Sequence, residues 1–252
     1  MYPTDLTDAQ WDNIKNYLEK GFRKRKISLR SIWNGLMYVV KTGCQWRMLP
    51  KGFGKWQLVY YYYRKWIDLE LFDRILDRLR AKVRVSRNQH SQATLGIMDS
   101  QTVRWGNNRS LSGYDGNKKV KGIKRHVVVD KNGFLLAVMV TVASIYDGKA
   151  VYMLMRVLKD CYANIKTIIA DGGYRGDITK LVKKKFNYVL QAVVKKRISS
   201  DTFELSEKRW VVERTFAWFE NDRRLCRHYE LLMESAEEMV KLSAIKLLLN
   251  KF

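Results

Sequence analysis

Two aspartates and one glutamate carry the side chains in this sequence best suited to chemistry. Asp171 follows the apolar run Thr167-Ile168-Ile169-Ala170 and precedes Gly172 and Gly173. A short apolar run bounded by Lys166 and by glycines reads as a buried strand. Glycines directly after it let the backbone turn and let a bulky ligand approach the carboxylate. Open α/β sheets hold their ligands at the carboxyl ends of strands. Taken alone, Asp-Gly after a strand is an ordinary turn opener. Two further acids change that reading. Asp99 stands where the apolar segment Leu95-Gly96-Ile97-Met98 is expected to end or bend as a strand. Glu213 stands on an expected helix, where steps of 3.6 residues line up Arg209, Glu213, Ala217, Glu220 and Arg224. Val212, Phe216 and Phe219 form the neighbouring apolar arc, extended by Val211 and Trp218, so Glu213 borders the buried face. Separations of 72 and 42 residues mean that only the fold can unite the three acids.

Three converging carboxylates would repel a polyanion unless divalent cations sat between them. Hard oxygen ligands suit magnesium or manganese, which take one or two carboxylates and fill their remaining positions with substrate phosphates and water. A pair of such ions activates an attacking oxygen and stabilises a leaving one in displacement at phosphorus, with no protein nucleophile. The expected metal ligands are therefore Asp99, Asp171 and Glu213, with two ions.

The bulk charge points to the matching substrate. The 252 residues hold 48 Lys and Arg against 25 Asp and Glu, a net charge of +23. The excess is spread evenly: 19 basic and 8 acidic residues in 1–92, 29 and 17 in 93–252. An even excess argues for a polyanion, nucleic acid above all, contacted by both halves rather than by one basic tail, against the blander reading of a generally basic solvated surface. Cys44, Cys161 and Cys226 are scattered and odd in number, which argues against a disulfide framework and for a reducing compartment. His90, His126 and His228 make no metal-binding pattern. Neither a signal pattern nor a spanning apolar run is present, so no membrane is involved and a cytoplasmic, nucleoid-associated protein is expected.

Pattern divides the chain into two expected domains, 1–84 and 93–252, joined by the polar segment 86–92. The first is a small all-α domain. Thr7 and Gln10 form a capping box, with Trp11, Ile14 and Leu18 on one face. The basic run Arg23 to Lys26 is either a solvated loop or a phosphate contact. Ser28 caps a second helix that stops at Gly43. A third helix begins near Lys55 and carries Tyr60 to Tyr63, two of them expected in the core and at least one exposed for DNA. A fourth carries Phe72, Ile75, Leu79 and Val83, with Arg74, Arg78, Arg80 and Lys82 elsewhere around it. Short helices with a basic balance read as a DNA-binding unit of helix-turn-helix type. Beyond residue 92 the order is strand, strand, strand, helix, strand, helix, strand, helix, with an Asn132-Gly133 turn between the second and third strands. That is an α/β order: a ribonuclease-H-like mixed sheet with flanking helices. Lys118, Lys119, Lys121, Lys124 and Arg125 follow the loop after the first strand and are expected to hold the DNA backbone beside the metals.

At these residues the chain resembles the DDE transposases of bacterial insertion sequences, closest to the family named after insertion sequence five. The segments that carry the resemblance are MDSQTVR around Asp99, GYDGNKKVKGIKRHVVVD from Gly113, IIADGGYRGD around Asp171 and RWVVERTFAWFENDRRL around Glu213. DLTDAQW and TGCQWRMLP resemble the helical region of the same proteins. The resemblance implies an Asp-Asp-Glu site at Asp99, Asp171 and Glu213, binding to double-stranded DNA at terminal inverted repeats, metal-dependent strand cleavage and transfer, and a homodimer on paired ends. A related signature sets a Tyr, an Arg, the catalytic Glu and a Lys along the last helix. Arg209 and Glu213 match it, whereas Ser206 and Glu220 depart. Arg209 is accordingly expected to contact DNA and Glu220 is not, with Arg223 and Arg224 as alternative cations. Two other readings compete: a same-fold metal-dependent nuclease, and an inactive or domesticated copy that represses by binding.

Overall fold

The computed structural model describes residues 2–19, 25–162, 164–174, 176–193 and 210–252. Arg209, Ser206, Arg23 and Lys24 lie outside them. The chain begins with α1 (Asp8–Leu18), α2 (Leu29–Thr42), α3 (Trp56–Asp68) and α4 (Leu71–Ser86). Thr7 caps α1 in a reciprocal box with Gln10, and Gly43 ends α2 in the left-handed region at φ 68°. Tyr63 is fully buried and Tyr62 half-buried, while Tyr60 and Tyr61 face solvent.

There follow β1 (Leu95–Arg104), β2 (Gly113–Asp115), β3 (Val120–Val129), β4 (Leu135–Val142), α5 (Asp147–Cys161), β5 (Thr167–Asp171), α6 (Asp177–Phe186), β6 (Val189–Val193), α7 (Trp210–Glu220) and α8 (Met233–Leu249). Strand order across the sheet is β4-β3-β1-β5-β6, and β2 pairs with the start of β3. The β3–β4 hairpin and the β1–β3 pair are antiparallel, whereas β1–β5 and β5–β6 are parallel. This is a ribonuclease-H-like mixed sheet, with α5 and α6 packed on one face and α7 and α8 on the other. The helical first segment packs onto that second face. Its Trp33, Phe72 and Leu79 share one apolar cluster with Ile97, Phe216, Ile245 and Leu248. Each such buried aliphatic or aromatic side chain contributes about 1.5–3 kcal/mol relative to exposure. α8 lies within this cluster and is buried on nearly every side.

Three expectations are corrected. β1 neither ends nor bends off at Asp99. It stays paired with β3 from Ile97 opposite Val129 to Arg104 opposite Gly122. His126 and Arg125 carry it onward first, and the end of β1 from Thr102 to Arg104 pairs with Lys124 to Gly122, expected as loop but built into β3. Close approach there relies on a glycine, since a Cβ on Gly122 would stand 1.9 Å from the Val103 carbonyl oxygen. Secondly, Arg80 is buried: it donates to the Leu135 carbonyl oxygen at 2.7 Å and to Asp77 at 2.6 Å. Thirdly, the stripe on α7 stops at Glu220. Arg224 turns inward in a 3-10 turn, Arg223–Leu225, where it pairs with Glu230 at 2.6 Å and bonds the Cys44 carbonyl oxygen. A buried paired guanidinium is not presented to DNA; Arg223 remains exposed.

Among the described residues no helix is long and apolar enough to cross a membrane. Cys44 and Cys226 are free thiols.

Candidate active site

Strand register decides where the two aspartates meet. β1 and β5 pair in parallel from Leu95 opposite Thr167 to Ile97 opposite Ile169. Two residues further along each strand stand Asp99 and Asp171, at the same level. Side chains alternate along a strand. Met98 on β1, with Ile168 and Ala170 on β5, joins the cluster under α5 and α6. Asp99 and Asp171 therefore point to the opposite face, the one carrying α7. Neighbouring strands lie about 4.8 Å apart, which sets the scale of their separation. Pairing of β1 with β5 stops just before this level, at Ile97 opposite Ile169.

Both carboxylates are half-buried, and each is fixed by the backbone that follows it. One oxygen of Asp99 accepts from the Ser100 N–H at 2.7 Å, and one oxygen of Asp171 accepts from the Gly172 N–H. Nothing would crowd a Cβ on Gly173, so the approach to Asp171 from that side is open.

Glu213 stands on the exposed flank of α7, next to its buried arc of Val211, Val212, Thr215, Phe216 and Phe219. Two anchors set the course of that helix. Near its start, Arg214 Nη2 donates to the Asn132 carbonyl oxygen at 2.8 Å, and Thr215 Oγ1 donates to the Gly133 carbonyl oxygen at 2.9 Å. At its end, Gln101 Nε2 donates to Glu220 at 2.8 Å. The helix thus runs in the same sense as β1, from the β3–β4 turn towards a residue two positions past Asp99. The register sets two of the three predicted carboxylates at one level on adjacent strands, and the third stands near the start of the helix that covers the same face. Among the described residues, no three His, Cys, Asp or Glu side chains stand close enough to hold one ion together. The donor chemistry still fits a hard divalent cation: carboxylate oxygens on adjacent strands, with the rest of the coordination shell left for phosphate and water.

The five expected DNA-contacting cations separate into two groups. Lys118, Lys119 and Lys121 are exposed, and Lys118 Nζ lies 3.4 Å from the Ser100 carbonyl oxygen, one residue beyond Asp99. Lys124 and Arg125 are buried, which corrects the expectation of five solvent-facing charges. Lys124 lies 3.8 Å from Asp115, whose carboxylate also accepts from Thr102 Oγ1 at 2.7 Å and from the Asn117 and Lys118 N–H groups. That carboxylate shapes the β2–β3 turn. Burial lowers the pKa of Arg125 to about 10, offset in part by Cys226 and Glu220, so it stays charged.

Sequence reasoning missed Gln101, Arg214 and Thr215, which hold α7 over the sheet. Gln101 was recoverable in principle, since it alternates with Asp99 once β1 is known to continue. The carbonyl partners of Arg214 and Thr215 lie 82 residues away and leave no local signal.

Comparison with known proteins places the chain among transposases. Residues 6–76 match the family described as "Putative transposase of IS4/5 family", and residues 90–245 match "Transposase DDE domain". A "Putative transposase for insertion sequence element IS402" from Burkholderia cepacia is 30% identical over 142 residues, which is 53% of this chain and 64% of that protein. "Uncharacterized protein y4sN" of Sinorhizobium fredii is 30% identical over 74 residues, 28% of this chain and 59% of that protein. The chain thus spans less than two thirds of either relative. Among solved structures, a Mos1 transposase paired-end complex with left transposon end is similar over 82% of this chain and 78% of its own, at 12% identity and a TM-score of 0.29. With residues 90–245, well over half of its length, matched in this way, the chain belongs to the family of transposases that carry a DDE domain.

Proposed function

We propose that the protein is a DNA transposase, which binds the terminal inverted repeats of its element and cleaves and transfers DNA strands through Asp99, Asp171 and Glu213. The observation that carries this reading is the equal level of Asp99 and Asp171 on adjacent parallel strands, on the face covered by α7. Asp99 and Asp171 would hold the divalent cation, and Glu213 would complete its ligands from α7 when DNA is bound. A pair of bound magnesium or manganese ions would neutralise the scissile phosphate and assist the attacking and leaving oxygens. The backbone N–H groups of Ser100 and Gly172 orient the two aspartates, which limits the reorganisation needed on substrate binding. Gly172 and Gly173 keep bulk away from Asp171, so a phosphodiester can reach it. Lys118, Lys119 and Lys121 steady the DNA backbone beside this edge of the sheet, and Arg209 is proposed to reach the end DNA. Exposed Tyr60 and Tyr61 on α3 offer stacking or phosphate contacts from the helical segment. A homodimer, with one copy on each end, is the assembly we propose.

Glu213→Gln tests the assignment. The residue is exposed, so folding should be unaffected. Cleavage of a labelled duplex carrying the element's end should fall about 100-fold or more, the scale of losing one charge-stabilising group at a reacting phosphate or carbonyl. Binding of the same duplex should persist, because it depends on cations elsewhere. Glu220→Gln, on the same stripe, should keep its activity, because the glutamine side-chain oxygen still accepts from Gln101 Nε2. If Glu213→Gln cleaved at the wild-type rate, Glu213 would not be the third acid.

A further inference from the structure

Two exposed cations of the β2–β3 turn border a solvent-open depression. Lys119 and Lys121 line a cavity of about 310 Å³ together with Arg104, Trp105, Val120 and Arg227. Arg104 ends β1 and Trp105 continues it, while Arg227 arrives from the segment that follows α7. The walls are tied together by backbone. Arg104 accepts from the His228 N–H at 2.9 Å, and Gly106 donates to the His228 carbonyl oxygen at 2.9 Å. A Cβ on Gly106 would stand 2.6 Å from that oxygen, so the two segments can approach this closely only with glycine there. Lys121 Nζ sits 4.3 Å from the centroid of the Trp105 ring, and the indole N–H is held by Ser110 Oγ at 3.1 Å. Lys119 is placed by a left-handed backbone, φ 53°, in the turn that Asp115 caps.

Among the described residues none of Arg104, Lys119, Lys121 and Arg227 has a carboxylate within ion-pair distance. Four like charges around one open cavity, with no carboxylate of the described residues in ion-pair distance, suit an anion. Two guanidinium groups favour an oxyanion that accepts several N–H bonds, above all a phosphate. Position supplies the rest. Lys121 on β3 and Trp105 just past β1 keep the parity of Asp99, while Arg104, an odd five residues on from Asp99, closes the cavity from the other side of the strand end. The distance along β1 is about 17 Å at the rise of an extended strand. At 3.4 Å per step along one DNA strand, that corresponds to about five nucleotides.

We propose that this cavity is a second phosphate site, which grips the backbone of the bound DNA about five nucleotides from the bond held at Asp99 and Asp171. It fixes the register of the duplex on the sheet without reading sequence. The identity of the ligand as DNA rests on the function proposed above, and the test separates the two.

Full-length protein is titrated against a fluorescein-labelled duplex of random sequence over a range of sodium chloride concentrations. Each lost phosphate contact lowers the steepness of the salt dependence by about 0.9. Arg104→Ala/Arg227→Ala should therefore flatten it by about 1.8. Arg104→Lys/Arg227→Lys should restore most of it, and Lys184→Ala/Lys185→Ala, on the exposed end of α6, should change it less. If the wild-type protein binds steeply but the Arg104/Arg227 pair leaves the slope intact, the cavity is not a phosphate site, and the DNA reading stands. Equal losses from both alanine pairs would reduce the effect to net charge and also overturn the site. A wild-type protein with no salt-dependent duplex binding would overturn the DNA reading itself. Should the alanine pair misfold, Arg104→Gln/Arg227→Gln reads the same slope.

Discussion

Asp130 connects the stability of the sheet to the placement of α7, and its removal gives a graded test of that connection. The residue is fully buried just after β3. Its carboxylate accepts from the Asn132 N–H at 2.8 Å, the Phe134 N–H at 3.0 Å and Asn132 Nδ2 at 3.2 Å, and it pairs with Arg84 from α4. Arg84 in turn donates to the carbonyl oxygens of His90 and Gln92, fastening the segment between α4 and β1. Asp130→Ala strands a buried guanidinium and two backbone donors. Breaking a buried pair from one side costs about 3–5 kcal/mol. Against a total of roughly 5–15 kcal/mol for a folded domain, that is a large fraction. Arg84→Met together with Asp130→Ala should cost less than the sum of the single changes by about 1–3 kcal/mol, because the double variant leaves no uncompensated charge. Urea unfolding followed by tryptophan fluorescence measures all three. The consequence for activity comes from the same turn, since the carbonyl oxygens of Asn132 and Gly133 anchor Arg214 and Thr215 of α7. DNA cleavage by Asp130→Ala should therefore fall even well below its unfolding midpoint. A cost under about 1 kcal/mol, or strict additivity in the double variant, would refute the reasoning.

Two pH effects of opposite sign should be separable by mutation. Burial raises the pKa of Glu237 to about 7, opposed by the Val140 N–H and Lys241 and reinforced by Glu234 and Asp73. The folded chain then holds more protons than the unfolded one between its ordinary value of 4.5 and about 7, so stability falls as pH rises through that window. Glu237→Gln should raise the melting midpoint more at pH 8 than at pH 5, as thermal melts at the two values would show; an equal change at both would count against it. His228 moves the other way. Burial, with Arg125 and Arg224, lowers its pKa to about 4, so its contribution is complete above 6.5 and is lost as pH falls towards 4. Melts of His228→Gln between pH 4 and 7 should show a shallower acid-side loss than the wild type, and an unchanged profile would remove the assignment. Gly122→Ala should destabilise by about 2–3 kcal/mol in urea, because its Cβ meets backbone and not a movable side chain; a midpoint within error of the wild type would show that β1 and β3 can separate at little cost.

Local patterns determined much of this molecule. The Thr7–Gln10 box, the left-handed stop at Gly43, the Asn132-Gly133 turn and the apolar runs that become β3, β4 and β5 all depend on residues a few positions apart, where capping, φ preference and side-chain period act directly. The residue types at 99, 171 and 213, with the strand and helix order around them, likewise pointed to metal-assisted phosphoryl transfer. Tertiary structure decided what depends on distant partners. β1 continues past Asp99 because β3 extends back to Gly122 and pairs with it as far as Arg104. The common level of Asp99 and Asp171 follows from a parallel register between strands 72 residues apart in sequence, and a one-residue slip would send either acid to the other face. The burial of α8 went unread because its polar residues, Glu234, Glu238, Lys241, Ser243 and Lys246 among them, are scattered around the helix and leave no clean apolar stripe to give a direction for packing. The same holds for charge. Arg80, Arg84, Lys124 and Arg224 look like surface cations in the sequence, whereas Arg104 and Arg227 look like any others. A charge is buried where a carboxylate or carbonyl waits for it and stays outside where none does, and the fold alone sets which neighbour it meets.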